Sequence, residues 1–153
     1  MNSSENRIRI LLDTTYLLPV VGVDVEGVEE ALTVLEKLYR LGRAEIYYTQ
    51  FNVFEIMGKL SRIDYDRRRV MLGLKSIREA FRATQPTAAG YLKALELRRK
   101  GFKDLIDLLL YTTSKTRRLS FLTRDMRLLD FLEAVGEDTT SIIHEEEFVR
   151  KHG

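Results

Sequence analysis

GFKDLIDLLLYTTSKTRRLSFLTRD, residues 101–125, is the stretch on which the fold turns. Phe102 to Thr113 is a nearly all-apolar run interrupted by Asp104 and Asp107, and it is long enough to predict a packed helix. Leu119 to Leu122 then predicts a short buried strand, which runs directly into Thr123-Arg124-Asp125. A helix feeding a strand that ends in an acid is one unit of an α/β architecture.

Working outward, the same alternation recurs. Ile8 to Leu12 predicts a buried strand ending at Asp13, and Asp24 is a candidate cap for the helix that follows. In that helix Val28, Leu32, Leu35, Leu38 and Tyr39 keep helical spacing, and Gly42 stands where a C-terminal cap belongs. Glu45 to Tyr48 predicts a second strand, and Thr49 a cap for a helix over 50–62 that carries Glu55. Asp64 is expected to cap a further helix through Arg78, and Phe81 to Thr84 reads as a marginal strand. Thr87 opens a helix with Tyr91, Leu92, Leu95 and Leu97 as its expected apolar side and Gly101 as its stop. A helix with Leu128, Leu129 and Leu132, a strand over 141–143 and an acidic C-terminal turn complete the pattern. Without a Pro/Gly/Ser-rich linker or internal repeat, residues 1–153 read as a single α/β domain around a parallel sheet.

In such sheets ligands bind beyond the carboxyl ends of the strands. Asp13 ends the first strand and Asp125 follows the fourth, so topology places both on that edge. Each acid taken alone has an ordinary explanation. Asp13 suits a turn, Asp125 a helix cap, Glu55 an ion pair with Lys59 at i+4, and Asp104 the positive end of a helix dipole. Asp107, read as lying mid-helix, suits a buried acid met by an arginine or a backbone amide. Asp13, Glu55, Asp107 and Asp125 sit among apolar residues, where an unpaired carboxylate is costly. Gathered into one pocket, they favour a cation, and oxygen-only ligands favour Mg²⁺ or Mn²⁺.

Composition narrows the chemistry. There is no cysteine, and the two histidines, His144 and His152, stand near the C-terminus. This excludes thiolate chemistry and disfavours a Ser-His-Asp triad. No P-loop or dinucleotide fingerprint is present. The net charge of +2 leaves no global nucleic-acid footprint. Local basic clusters at Arg62, Arg67 to Arg69, and Lys115 with Arg117 and Arg118 are candidate backbone-contacting residues. No membrane-length apolar run or secretory signal is apparent, so the expectation is a cytoplasmic protein.

Four segments together resemble the PIN domain nucleases, which include the VapC-type toxins: LLDTTYLL (11–18), NVFEIMGKL (52–60), GFKDLIDLLLYTTS (101–114) and SFLTRD (120–125). The third departs from the family pattern at Ser114 and Lys115, where small aliphatic residues are commoner. The resemblance implies a three-layer α/β/α PIN-like fold with a twisted, mainly parallel central sheet of four to five strands. It implies Mg²⁺- or Mn²⁺-dependent cleavage of single-stranded RNA, with Asp13, Asp107 and Asp125 holding metal and Glu55 completing the pocket. Thr14 and Thr123 would support these acids, and Asp104 is an additional acid beside the four. A small antitoxin partner and a homodimer are further implications, with Tyr39 or Phe81 as candidate interface aromatics. Two rivals remain: a PIN-like domain that binds RNA or protein without cutting, and a haloacid-dehalogenase-like phosphotransferase. The latter requires a second aspartate where Thr15 stands.

Overall fold

The computed structural model describes residues 7–153. Five strands, β1 (Ile8–Leu12), β2 (Ala44–Thr49), β3 (Arg82–Thr84), β4 (Ser120–Thr123) and β5 (Ile142–His144), form one sheet in the order β3-β2-β1-β4-β5. Every pairing is parallel. Seven helices connect and cover it: α1 (Glu29–Arg40), α2 (Gln50–Leu60), α3 (Arg67–Ala80), α4 (Ala88–Arg99), α5 (Leu105–Arg117), α6 (Met126–Ala134) and α7 (Glu145–His152).

The layering follows from the two-residue period of a strand. Ile10, Leu12, Ile46 and Tyr48 bury into one core with residues of α1, α2, α3 and α7. Leu11, Tyr47 and Phe121 bury into a second core with α4, α5 and α6. A central strand covered on both faces must be apolar at successive positions, which is why β1 reads as an unbroken aliphatic run after Arg9. The expected three-layer α/β/α arrangement is therefore present, with five strands, all parallel. Strand order reverses where β4 crosses to the far side of β1, and the crevice beyond that β1/β4 pair is the switch point of the sheet. No helix of the described residues is long and apolar enough to cross a membrane.

Several boundaries differ from expectation, each for a local reason. Val28 occupies the N-cap of α1 in place of Asp24; Gly27 turns the chain immediately before it at φ 76°. Asp66, rather than Asp64, caps α3, its Oδ1 accepting from the backbone N–H groups of Arg68 and Arg69. Helix α5 starts at Leu105 and continues to Arg117, with Asp104 as its N-cap; Phe102 lies outside it. The acidic C-terminus is a helix, α7, whose first turn carries Glu145, Glu146 and Glu147 and whose Phe148 is fully buried.

Of the side of α4 that its large residues predict, Leu97 alone is buried. Gly90, Ala94 and Leu97 face inward, while Tyr91, Leu92 and Leu95 are exposed. A methyl group added at Gly90 would meet Thr116 Oγ1 at 3.4 Å, so small residues let α4 lie close against α5. Tyr91, Leu92 and Leu95 are thereby turned outward.

Candidate active site

Asp13 leaves the end of β1, where its backbone N–H donates to the Leu122 carbonyl of β4 at 3.1 Å. Its Oδ2 accepts from the Thr123 hydroxyl at 2.9 Å, so the two central strands present a linked acid and threonine. Asp125 follows Thr123, and its Oδ1 caps α6 by accepting from Arg127 N–H at 2.9 Å and Leu128 N–H at 3.4 Å. Capping and facing the crevice coexist in this residue, because a cap uses one oxygen and leaves the other free.

Asp107 occupies the third position of α5 rather than its middle. Its N–H donates to Asp104 Oδ1 at 3.1 Å. The cap and the residue it caps thus carry two acids on one turn. Asp107 is buried, and among the described residues no cation pairs with its carboxylate, so the expected arginine partner is not found. Glu55 comes from α2 and accepts from the Thr14 hydroxyl; its polar contact is with β1's continuation rather than with Lys59.

An open cleft of about 470 Å³ lies over this edge, lined by Asp13, Thr15, Asp107, Arg124, Asp125, Met126 and Arg127. Burial raises the pKa of Asp13 despite the lowering effect of the Thr123 hydroxyl, and Asp125 and Asp104 add to the rise. Burial likewise raises Glu55, opposed by Thr14 and reinforced by Asp13 and Asp104. Asp107 is pushed up to about 9, first by burial and then by the charges of Asp13, Asp104, Asp125 and Glu55. Five carboxylates therefore feel one another, including Asp104, which the sequence reading sets beside the other four.

Cations do little to relieve this. Arg124 forms a two-pronged ion pair with Glu145 (3.1 and 2.9 Å) and donates to the carbonyls of Glu26 and Gly27. Tyr16 donates to the same glutamate at 2.8 Å. Arg127 is 93% exposed and, among the described residues, reaches only Asp125, at 3.8 Å. An uncompensated, oxygen-only donor set at a switch point fits a hard divalent cation. Among the described residues no three of these acids close into a ready-made ligand cage. That openness is compatible with Mg²⁺, which keeps several waters and takes only one or two carboxylates directly.

The basic clusters have other engagements. Arg69 donates to the Pro19 carbonyl, Arg117 to that of Gln85, and Lys115 pairs with Glu137. The Lys115–Arg118 end of α5 lies roughly 12–16 Å along the helix from Asp107. Tyr39 and Phe81 pack edge-to-face on each other at 6.1 Å. Sequence reading missed Asn52, Arg124 with Glu145, and Arg127. For Asn52 a signal existed: an amide three residues after a capping threonine, flanked by Phe51, Val53 and Phe54.

The fold is similar to VapBC2 of Rickettsia felis, solved bound to a DNA fragment from its promoter (TM-score 0.64, 14% identity, covering 90% of this chain and 97% of that one). It is similar to VapC20 of Mycobacterium tuberculosis, a sarcin-ricin loop cleaving toxin (TM-score 0.58, 15% identity, 86% and 98% covered). FitAcB of Neisseria gonorrhoeae is a further neighbour (TM-score 0.54, 17% identity, 81% and 93% covered). Comparison with curated proteins gives no match. The family pattern of the PIN domain matches residues 10–134, and with that share of its length matched the chain belongs to the PIN domain family.

Proposed function

We propose that this chain is a Mg²⁺- or Mn²⁺-dependent endoribonuclease acting on single-stranded RNA. The observation that carries the reading is the uncompensated acidic cluster at the sheet's switch point, with Asp107 pushed up to about 9 by burial and four like charges. Asp13, Asp107 and Asp125 would hold the cation directly or through water, with Glu55 and Asp104 completing the negative field. When bound, the cation polarises the phosphoryl oxygens, lowers the pKa of water and steadies the leaving oxygen. Glu55, anchored by Thr14, orients the attacking water, and Thr123 fixes Asp13. Water adds in line at phosphorus and the P–O3′ bond breaks, leaving a 5′-phosphate and a 3′-hydroxyl.

Cleavage of single-stranded RNA in Mn²⁺ is expected to fall at least about a hundredfold in both Asp13→Asn and Asp107→Asn. Activity surviving both substitutions would place the chemistry elsewhere. The rival reading is a PIN-like domain that binds RNA or a protein partner without cutting. RNA binding without product in the same assay would select it.

The partners proposed with this reading are a small antitoxin and a second copy of the chain. Support comes from the exposed apolar residues of two helices, Phe54 and Met57 on α2 and Leu92 and Leu95 on α4. Light scattering of the purified chain tests the dimer directly.

A further inference from the structure

Asn52 is fully buried and stands three residues before Glu55 on α2. Its amide is used at both ends. Oδ1 accepts from the Thr49 N–H at 2.7 Å and the Thr49 hydroxyl at 3.0 Å, closing the cap of α2. Nδ2 donates to the Leu12 carbonyl at 3.2 Å and to Thr14 Oγ1 at 2.9 Å. A backbone N–H can only donate and a carbonyl can only accept, so these four partners fix which way the amide points.

That orientation has a consequence for Thr14. A hydroxyl has one proton, and with Asn52 donating to Oγ1 the proton is directed to its other neighbour, Glu55. Thr123 is arranged the same way: its Oγ1 accepts from the Asp125 N–H at 3.1 Å and donates to Asp13. On one side of the cleft the direction is set by the backbone; on the other it is set by a buried side chain.

We infer that Asn52 is a positioning residue, which by donating to Thr14 fixes that hydroxyl as a donor to Glu55 and so holds the α2 carboxylate for the cation. The inference rests on the metal-dependent reading of the site. Asn52 touches neither cation nor substrate. Its effect passes through Thr14, and at the same time it ties the end of β1 to the start of α2.

A double-mutant cycle separates this role from simple helix capping. The affinity for Mn²⁺ alone is measured by calorimetry, with the melting temperature read independently, for the parent, Asn52→Ala, Thr14→Val and the double variant. Outer partners of metal ligands are typically worth ten- to a hundredfold in affinity, so Asn52→Ala is expected to weaken Mn²⁺ binding about tenfold in the parent. In the Thr14→Val background the same change should weaken it less than twofold, while the melting temperature drops equally in both. If Asn52→Ala does not fold, Asn52→Ser carries the same comparison, since a short uncharged hydroxyl can still accept from the Thr49 N–H without adding a carboxylate beside Thr14. Equal losses of affinity in both backgrounds, or no loss in the parent, would overturn the inference. A parent protein that binds no Mn²⁺ would remove the metal site itself, and this inference with it.

Discussion

Asp107 holds its proton for two reasons with different reach. Burial removes the solvent that would stabilise its charge, and four neighbouring carboxylates, Asp13, Asp104, Asp125 and Glu55, repel it. The unfolded chain releases that proton near the ordinary value of 3.8, whereas the folded chain releases it only at about 9. Between those values the native state binds the extra proton. The metal-free protein is therefore most stable below about pH 4 with respect to this group, and loses stability as pH rises towards about 9. Asp13 and Glu55, also raised, act in the same direction. From about pH 5 to about pH 9 the melting temperature of the parent should fall by at least roughly 10 °C more than that of Asp107→Asn. Saturating Mg²⁺ should abolish the difference, because a bound cation replaces the proton. Parallel curves without metal would contradict the assignment. The identities of these acids were legible in the sequence because carboxylates in apolar runs are conspicuous. The share of Asp104 in that cluster was not, since it lies outside α5 and stands beside Asp107 through the cap it makes.

Caps and small residues do the placing at the scale of elements. Thr49, Thr87 and Gly42 behave as local chemistry predicts, because a cap needs only its own few neighbours. The inward side of α4 was misread in part because Gly90 and Ala94 carry almost no hydrophobicity and matter through closeness of approach to α5. Gly73 makes the same point on α3. A methyl group there would collide with the Val20 carbonyl oxygen and come within 2.9 Å of Val21 Cα, in the short 3₁₀ segment Leu18–Val21 that follows the Asp13 turn. Replacing a mid-helix glycine with alanine ordinarily stabilises by up to about 1 kcal/mol. Here the sign is expected to reverse, with Gly73→Ala losing about 2 kcal/mol in urea denaturation. A gain in stability would show that α3 and that segment do not pack as described.

Across the whole molecule, charge is distributed away from the acidic cleft. Arg124 is tied to Glu145 and two carbonyls, the Lys115–Arg118 cluster lies at the far end of α5, and Arg127 is the exposed cation beside Asp125. An RNA strand laid over the cleft would meet Arg127 first. In the proposed function, Arg127→Ala is expected to lower RNA affinity about fivefold and to reduce the salt slope by about 0.7, the value for one single-strand phosphate contact. Lys115→Ala should leave both unchanged. Equal effects from the two substitutions would redirect the substrate path towards the α5 end.

By itself the sequence determined which segments are strands and helices, some of their caps, and which acids stand in apolar surroundings, because periodicity and capping act over a few neighbouring residues. The tertiary structure alone decided that β4 lies beside β1, and so put Asp13 and Asp125 on one crevice. It also decided that α2 returns to β1 through Asn52 and Thr14, and that α4 turns Tyr91, Leu92 and Leu95 outward. These contacts join residues 38 to 110 positions apart. No local pattern specifies such a meeting; it is fixed when burying both faces of the sheet leaves one way to close the chain.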